Sequence, residues 1–155
     1  MNAKEYLEQA RHLDAAINTK IERVAALQSL TERVTAPLDS EVVSRSRNMT
    51  SLQDHIIALM EEQEALNAQI DQLVDLKREI AAVLAAIDDR EGSLLLEQRY
   101  LCFNTWTRIA ASLHMSRRTV FNVHDRALQE VDGILGSDAY EQIRKRVLAE
   151  RKIKQ

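Results

Sequence analysis

The most regular hydrophobic pattern of the chain runs from Ser51 to Asp88. Apolar residues recur there at alternating steps of four and three, as Leu52, Ile56, Leu59, Leu66, Ile70, Leu73, Ile80, Leu84 and Ile87, with Gln63 and Lys77 as polar interruptions. Such steps place side chains along one face of an α-helix, and their repetition over about five heptads is typical of a coiled coil. The pattern predicts one long helix that packs this seam against another helix.

A second seam at coiled-coil spacing lies between Ala3 and Thr35, a stretch without Gly or Pro, and comprises Tyr6, Ala10, Leu13, Ile17, Val24, Leu27 and Val34. Lys20 and Thr31 interrupt it, and the spacing predicts another long helix. Residues 36–50 follow with Pro37 and several Ser residues, which favour a connection over a helix. Fifteen residues are long for such a connection, so we expect it to be mobile.

The two seams predict an antiparallel hairpin that places Lys20 opposite Gln63 and Ile17 near Ile70. One hairpin covers little of its own seam, so we expect two chains to combine into a four-helix bundle. The residues expected to form this oligomerisation seam are Leu59, Leu66, Ile70, Leu73, Ile80 and Leu84. The alternative is a seam that packs only within one chain.

A different pattern, WTRIAASLHMSRRTVFNVHDRAL, runs from Trp106 to Leu128. It indicates two short helices joined by a tight turn, with Thr105 and Ser116 as N-cap residues. In the second helix one face is apolar, as Val120, Val123, His124, Ala127, Leu128 and Val131. The opposite face is polar and has the width that the major groove of DNA admits, which makes this stretch a candidate helix-turn-helix.

The polar face of the second helix carries side chains that can read bases. Arg can bond bidentately to guanine and Asn to adenine, so Arg117, Arg118 and Asn122 are the candidate base readers, with Phe121 against a thymine methyl group. Backbone contacts are expected from Ser116, Thr119 and Arg126, and Asp125 is expected to reject some bases. The alternative is a solvated charged face on an ordinary helical domain.

The charge distribution changes how the weakly acidic chain is interpreted. Residues 1–89 hold 9 basic and 16 acidic residues, a net charge of −7, whereas residues 90–155 hold 12 and 8, a net charge of +4. The positive charge therefore lies in the half that contains the candidate helix-turn-helix. The last helix, from Asp138, is also basic. Its positive charge fits either a frayed tail or auxiliary contacts with DNA phosphates.

The composition of 155 residues, with three Gly, one Pro and one Cys, predicts an all-α chain. We expect no catalytic residue, metal or cofactor, because the four His residues lack ligand spacing and no Gly-rich phosphate loop occurs. The single Cys102 and the absence of a signal-like or membrane-spanning segment predict a cytoplasmic protein without a membrane partner.

Several short motifs resemble region 4 of sigma-70-type transcription factors: Arg99-Tyr100-Leu101, Ile109-Ala110, the Ser116–Val120 turn and Ala127-Leu128. The segments MNAKEYLEQARHLDAAINTKIE, SRN, IDQLVDLKREI and RYLCFNTW are also similar to a family of small proteins of Gram-positive phages and prophages, related to phage late-transcription regulators. The resemblance implies a sigma-region-4-like DNA-binding domain on a helical N-terminal region, in a bacterial host cell. Because the other sigma regions are not recognised here, we do not expect a complete sigma factor.

The sequence thus predicts a long antiparallel coiled-coil hairpin for oligomerisation (1–88), a helix-turn-helix domain (89–136) and a basic C-terminal helix (137–155). The expected function is a homodimeric, sequence-specific regulator of transcription that binds double-stranded DNA. One alternative is a small terminase-like DNA-recognition subunit, which would form a ring. The other is a coiled-coil adaptor that binds RNA polymerase.

Overall fold

The computed structural model describes residues 1–35 and 42–153, and within them the secondary structure is helical without a strand. The helices are α1 (Ala3–Thr35), α2 (Val42–Ala85), α3 (Arg90–Leu96), a π-helix (Glu97–Leu101), α4 (Trp106–Ser112), α5 (Arg117–Leu135) and α6 (Asp138–Ile153). The prediction of an all-α chain is confirmed. None of the described helices combines the length and the apolar character that a membrane crossing needs.

The predicted connection 36–50 is too long at its C-terminal end, because α2 already begins at Val42. No Gly or Pro lies between Pro37 and Gly92, so nothing in the sequence stops this helix from extending toward the N-terminus. The first part of the predicted connection, residues 36–41, lies outside the described residues.

The chain forms two compact units. Leu13–Gln72 is the first, called here the middle unit, and Met1–His12 with Leu73–Gln155 is the second, called the C-terminal unit. Both ends of the predicted hairpin thus belong to the same unit as α3 to α6. The division into an oligomerisation hairpin, a DNA-binding domain and a basic helix is a division by function and stays a prediction.

In the middle unit, α1 and α2 are joined by ion pairs close to the predicted register. Lys20 Nζ lies 3.8 Å from Glu62 Oε2, and Arg23 Nη2 donates to Glu62 Oε1 at 2.8 Å. The expected neighbour of Lys20 is Gln63, one residue further along. Ile17 and Val24, on the same seam of α1, are buried. The contacts agree with the predicted pairing to within one residue, whereas the complete coiled-coil hairpin stays a prediction.

The core of the C-terminal unit gathers apolar side chains from both ends of the chain. It includes Leu7 and Ala10 of α1, Ile80 and Leu84 of α2, Leu95 and Leu96 of α3, Ile109 of α4, Ile143 of α6, and Val120, Val123, Ala127 and Val131 of α5. Because α5 contributes four of these buried residues at helical spacing, its apolar face is fixed against the rest of the unit.

Helix α3 starts at Arg90. Asp89 caps it, since its carboxylate accepts from the Gly92 amide at 3.0 Å. Gly92 lies inside the helix, and a Cβ atom built on it would be 2.7 Å from Ala127 Cβ. Only glycine allows α3 and α5 to approach this closely, which outweighs its poor helix propensity.

The basic helix α6 is docked on α2, which contradicts one of the two alternatives for this segment, the frayed tail. Glu79 Oε1 accepts from the hydroxyls of Tyr6 and Tyr140, both at 2.8 Å, and Arg144 Nε lies 3.9 Å from its other oxygen. One helical turn earlier on α2, Asp75 pairs with Arg151 at 2.9 Å. These carboxylates neutralise part of the positive charge of α6.

Candidate nucleic-acid interface

Helix α4 and the turn after it are defined by local capping and one unusual backbone conformation. Thr105 Oγ1 accepts from the Arg108 amide at 3.2 Å, which confirms Thr105 as the N-cap. His114 then adopts φ 53°, the left-handed conformation that reverses the chain between α4 and α5. Met115 N–H donates to the Ala110 carbonyl at 3.0 Å and closes the turn.

Helix α5 begins at Arg117, and Ser116 is its N-cap as the sequence predicts. Ser116 Oγ accepts from the Thr119 amide at 3.2 Å and lies 2.8 Å from Thr119 Oγ1. The amides of Arg117 and Arg118 precede the first intrahelical bond, so they remain as outward donors at the positive end of the helix dipole. Ser116 therefore acts first as a cap, and the amides beside it provide the anion-binding end.

The two faces of α5 are separated as the pattern predicts. Of the six residues predicted to face inward, Leu128 is half-buried and the other five are buried, namely Val120, Val123, His124, Ala127 and Val131. The residues of the polar face are exposed, among them Arg117, Arg118, Asn122, Asp125, Arg126 and Gln129. Within the described part of the chain, no carboxylate oxygen lies within 4.0 Å of the Arg117 or Arg118 guanidinium. Both charges are thus available to an anionic partner.

Phe121 is only partly exposed because it packs on Trp106 of α4, with ring centroids 5.0 Å apart. The Trp106 ring also meets the edge of the His124 ring at 4.9 Å, and the Arg99 guanidinium lies 4.4 Å above it. This aromatic cluster joins the start of α4 to the middle of α5 and holds the exposed edge of Phe121 in place. Trp106 is a packing residue.

Behind the outward face, His124 and Tyr100 form a buried hydrogen bond. The Tyr100 hydroxyl lies 2.9 Å from His124 Nε2, and Tyr100 reaches this position from the π-helix. Burial lowers the pKa of His124, and the exposed Asp125, 3.6 Å from Nδ1, acts in the opposite direction. The imidazole is therefore favoured in its neutral form, and burial raises the pKa of Tyr100 to about 12.

Arg126, a predicted backbone contact, is held by a partner from another helix. Its Nε and Nη2 both donate to Asp89 Oδ2 at 2.8 Å, while 56% of the Arg126 side chain remains exposed. The Gly92 amide and then Arg126 hold the pKa of Asp89 below its ordinary value, so this carboxyl is charged at neutral pH. Asp89 orients the guanidinium and neutralises part of its charge, a contact that the sequence analysis missed.

The residues of the predicted oligomerisation seam differ in burial and fall into two groups. Ile80 and Leu84 are fully buried in the core of the C-terminal unit, so they pack within one chain. Leu59, Leu66 and Leu73 are half-buried, and Ile70 is 38% exposed. Ile56 and Met60, which are outside the predicted oligomerisation set, are also 40% and 63% exposed on α2. Apolar surface thus stays open on the middle unit.

No group of three His, Cys, Asp or Glu side chains among the described residues has an arrangement that could hold a metal ion. Cys102 is exposed and unpaired with another cysteine.

No family model, curated protein or solved structure matches the chain significantly. The function must therefore be argued from the exposed residues of α5 and from the surfaces around them.

Proposed function

We propose that the protein is a phage- or prophage-encoded, dimeric regulator of transcription that binds specific DNA sequences through a sigma-region-4-like helix-turn-helix formed by α4 and α5. The observation that carries the proposal is the arrangement of α5. Its inner face is fixed in the core, while Arg117, Arg118 and Asn122 are exposed in its first two turns. A helix held in this way can enter a major groove with its N-terminal residues against base edges.

Each exposed residue has a role that follows from its chemistry. Arg117 and Arg118 suit the two acceptors of guanine, and Asn122 suits the donor and acceptor of adenine. The apolar edge of Phe121 suits a thymine methyl group, and the Asp125 carboxylate favours a cytosine amino group over bases that present acceptors. These assignments make sequence preference depend on the N-terminal half of α5.

The groups proposed to contact the DNA backbone lie beside the residues proposed to read bases. The Arg117 and Arg118 amides and the Thr119 hydroxyl surround the start of α5, where a phosphate oxygen is favoured by the helix dipole. Ser116 fixes this end by capping it. On the flank, Asp89 holds Arg126 in one orientation, which suits a single phosphate on the adjacent strand.

Dimerisation is supported by the apolar surface on the middle unit. Ile56, Met60 and Ile70 recur at steps that share one side of α2, and each is more than one third exposed. Exposed apolar side chains in a row mark interaction sites in soluble proteins. A second copy would cover them in a four-helix bundle and present two α5 helices to a palindromic site, about 34 Å apart for successive major grooves.

A titration of labelled duplex DNA tests the proposal with charge-reversal variants. Arg117→Glu/Arg118→Glu should abolish specific binding, because it places two carboxylates where the proposal needs guanidinium groups. Arg78→Glu/Arg90→Glu is the matched control, since it makes the same charge change at exposed positions of α2 and α3. If both variants lose the same affinity, net charge governs binding and the specific role of α5 is wrong. Unchanged DNA affinity of the Arg117→Glu/Arg118→Glu variant would show that DNA does not bind through α5. A wild-type protein with little DNA affinity would favour the coiled-coil adaptor.

A further inference from the structure

A surface depression of about 340 Å³ adjoins the outward face of α5. Phe121 and Asp125 form part of its wall, and both belong to the residues assigned to base recognition. Lys4 and Glu8 from the first turns of α1 and Arg99 of the π-helix also line it. The N-terminus of the chain thus lies beside the helix proposed to read DNA, although some 120 residues separate them in sequence.

The start of α1 is fixed at this position. The Ala3 amide donates to Asp132 Oδ1 of α5 at 2.6 Å, and the side chains of Ala3 and Leu7 are fully buried in the core of the C-terminal unit. Asp132 follows Asp125 by seven residues, two helical turns along the same side of α5. Lys4 is exposed next to this anchor, so its ammonium group can reach a partner that lies against α5.

Two cations, Lys4 and Arg99, and two carboxylates, Glu8 and Asp125, line the depression. Arg99 Nη1 donates to the Asn104 carbonyl at 3.0 Å, and Arg99 Nε is buried without a hydrogen-bond partner among the described residues. Burial and then the charge of Arg11 lower the pKa of Arg99. Burial is also the main cause that lowers the pKa of His124, and the charges of Lys4 and Arg99 contribute to it. Among the described residues, no carboxylate oxygen lies within 4.0 Å of Lys4 Nζ. Its charge is therefore available to an anion.

We infer that Lys4 binds a phosphate of the DNA backbone at the edge of the groove that α5 enters, with Arg99 adding positive charge behind it. The inference rests on the proposed function, because a duplex in contact with Phe121 and Asp125 brings its backbone next to the depression. Phosphate contacts of this kind fix the register of a protein on DNA without reading its sequence. The N-terminal turns of α1 would then belong to the DNA-binding surface as well as to the hairpin.

The test measures affinity for a specific and an unrelated duplex over a range of salt concentrations, for wild type and four variants. The slope of log K against log salt concentration, where K is the association constant, should become shallower by about 0.9 when one phosphate contact is lost. This change corresponds to about 8-fold weaker binding at a salt concentration of about 0.1 M. Lys4→Ala should show this change on specific and unrelated duplexes alike. Glu8→Gln, which removes a carboxylate from the same depression, should bind more tightly than wild type.

Arg90→Ala is the matched control, because it removes one exposed positive charge from α3, the helix that packs at Gly92 against Ala127. Ala127 follows Arg118 by nine residues, which places it on the opposite side of α5. Arg90→Ala should keep the wild-type salt dependence. If Lys4→Ala behaves like Arg90→Ala while Arg117→Glu/Arg118→Glu loses binding, the inference is wrong and the proposed function stands. If the wild type binds no duplex, both are wrong. Thermal unfolding of each variant identifies a loss caused by misfolding.

Discussion

The Tyr100 hydroxyl lies 2.9 Å from Nε2 of His124, and this bond joins the π-helix to the buried side of α5. It places an ionisable side chain directly behind the residues proposed to contact DNA. Because burial lowers the pKa of His124 below its ordinary value of 6.5, the native state holds a neutral imidazole where the unfolded chain would already be protonated. The stability of α5 is therefore coupled to pH.

The first prediction follows from the sign of that coupling. Between its lowered native pKa and 6.5, the unfolded state binds more protons than the native state, so stability is fully present above pH 6.5 and falls as the pH drops below it. Urea unfolding at pH 7.5 and 5.5 should show this loss in wild type and a smaller one in His124→Gln. The exposed His12→Gln should retain the wild-type difference. Equal pH dependence in wild type and His124→Gln would contradict the assignment.

The second prediction concerns the close contact between α3 and α5. Gly92→Ala places a methyl group 2.7 Å from Ala127 Cβ, and overpacking of about 1–3 kcal/mol should outweigh the gain of about 1 kcal/mol in helix propensity. Denaturant unfolding should show a less stable protein. Gly133→Ala is the matched control, since its Cβ would meet no atom within 4 Å, and it should stabilise α5 by about 0.4–1 kcal/mol. Equal changes in the free energy of unfolding for Gly92→Ala and Gly133→Ala would contradict overpacking at Gly92.

The third prediction concerns the turn between α4 and α5. His114 has φ 53°, a conformation that a β-branched residue adopts only with strain. His114→Val should cost about 1–3 kcal/mol and weaken DNA binding, because the turn sets the approach of α5. His114→Gly should leave both stability and binding near the wild-type values, since the relief of strain offsets the entropy of glycine. If His114→Val is harmless, the left-handed conformation does not constrain the turn.

The fourth prediction concerns the exposed seam of the middle unit. Ile70→Lys should shift a dimer toward monomer in sedimentation equilibrium, because it places a charge on the apolar side of α2 that a second copy would cover. Ala68→Lys adds the same charge at an exposed position two residues away, on another side of the helix, and should remain dimeric. A monomeric wild type would contradict the bundle, and a ring of many copies would favour the terminase-like alternative.

Local patterns predicted much of the candidate interface. The caps at Thr105 and Ser116 and the two faces of α5 depend on residues within a few turns of one another, which the spacing of apolar positions reveals. Helix α2 starts earlier than the sequence predicts, because the preference of Ser residues for connections is weak and no glycine or proline breaks the helix after Pro37.

The contacts between distant segments could not be predicted in the same way. The Asp89–Arg126 pair spans 37 residues, and the Ala3 amide reaches Asp132 across 129 residues. Neither pair has a local signal, because both depend on how α1 and α3 pack against α5. The π-helix has no local signal either, because its sequence, EQRYL, is that of an ordinary helix.

The most direct test of sequence-specific DNA binding is the selection of random duplex DNA by the purified protein at near-physiological salt, with Arg117→Glu/Arg118→Glu as control. We expect an enriched inverted repeat that the control variant does not enrich. On that repeat, Arg118→Ala should lose about 1–3 kcal/mol and relax the preference at one base pair. Enrichment of no sequence by the wild-type protein, or of the same sequences by the control variant, would contradict base recognition by α5.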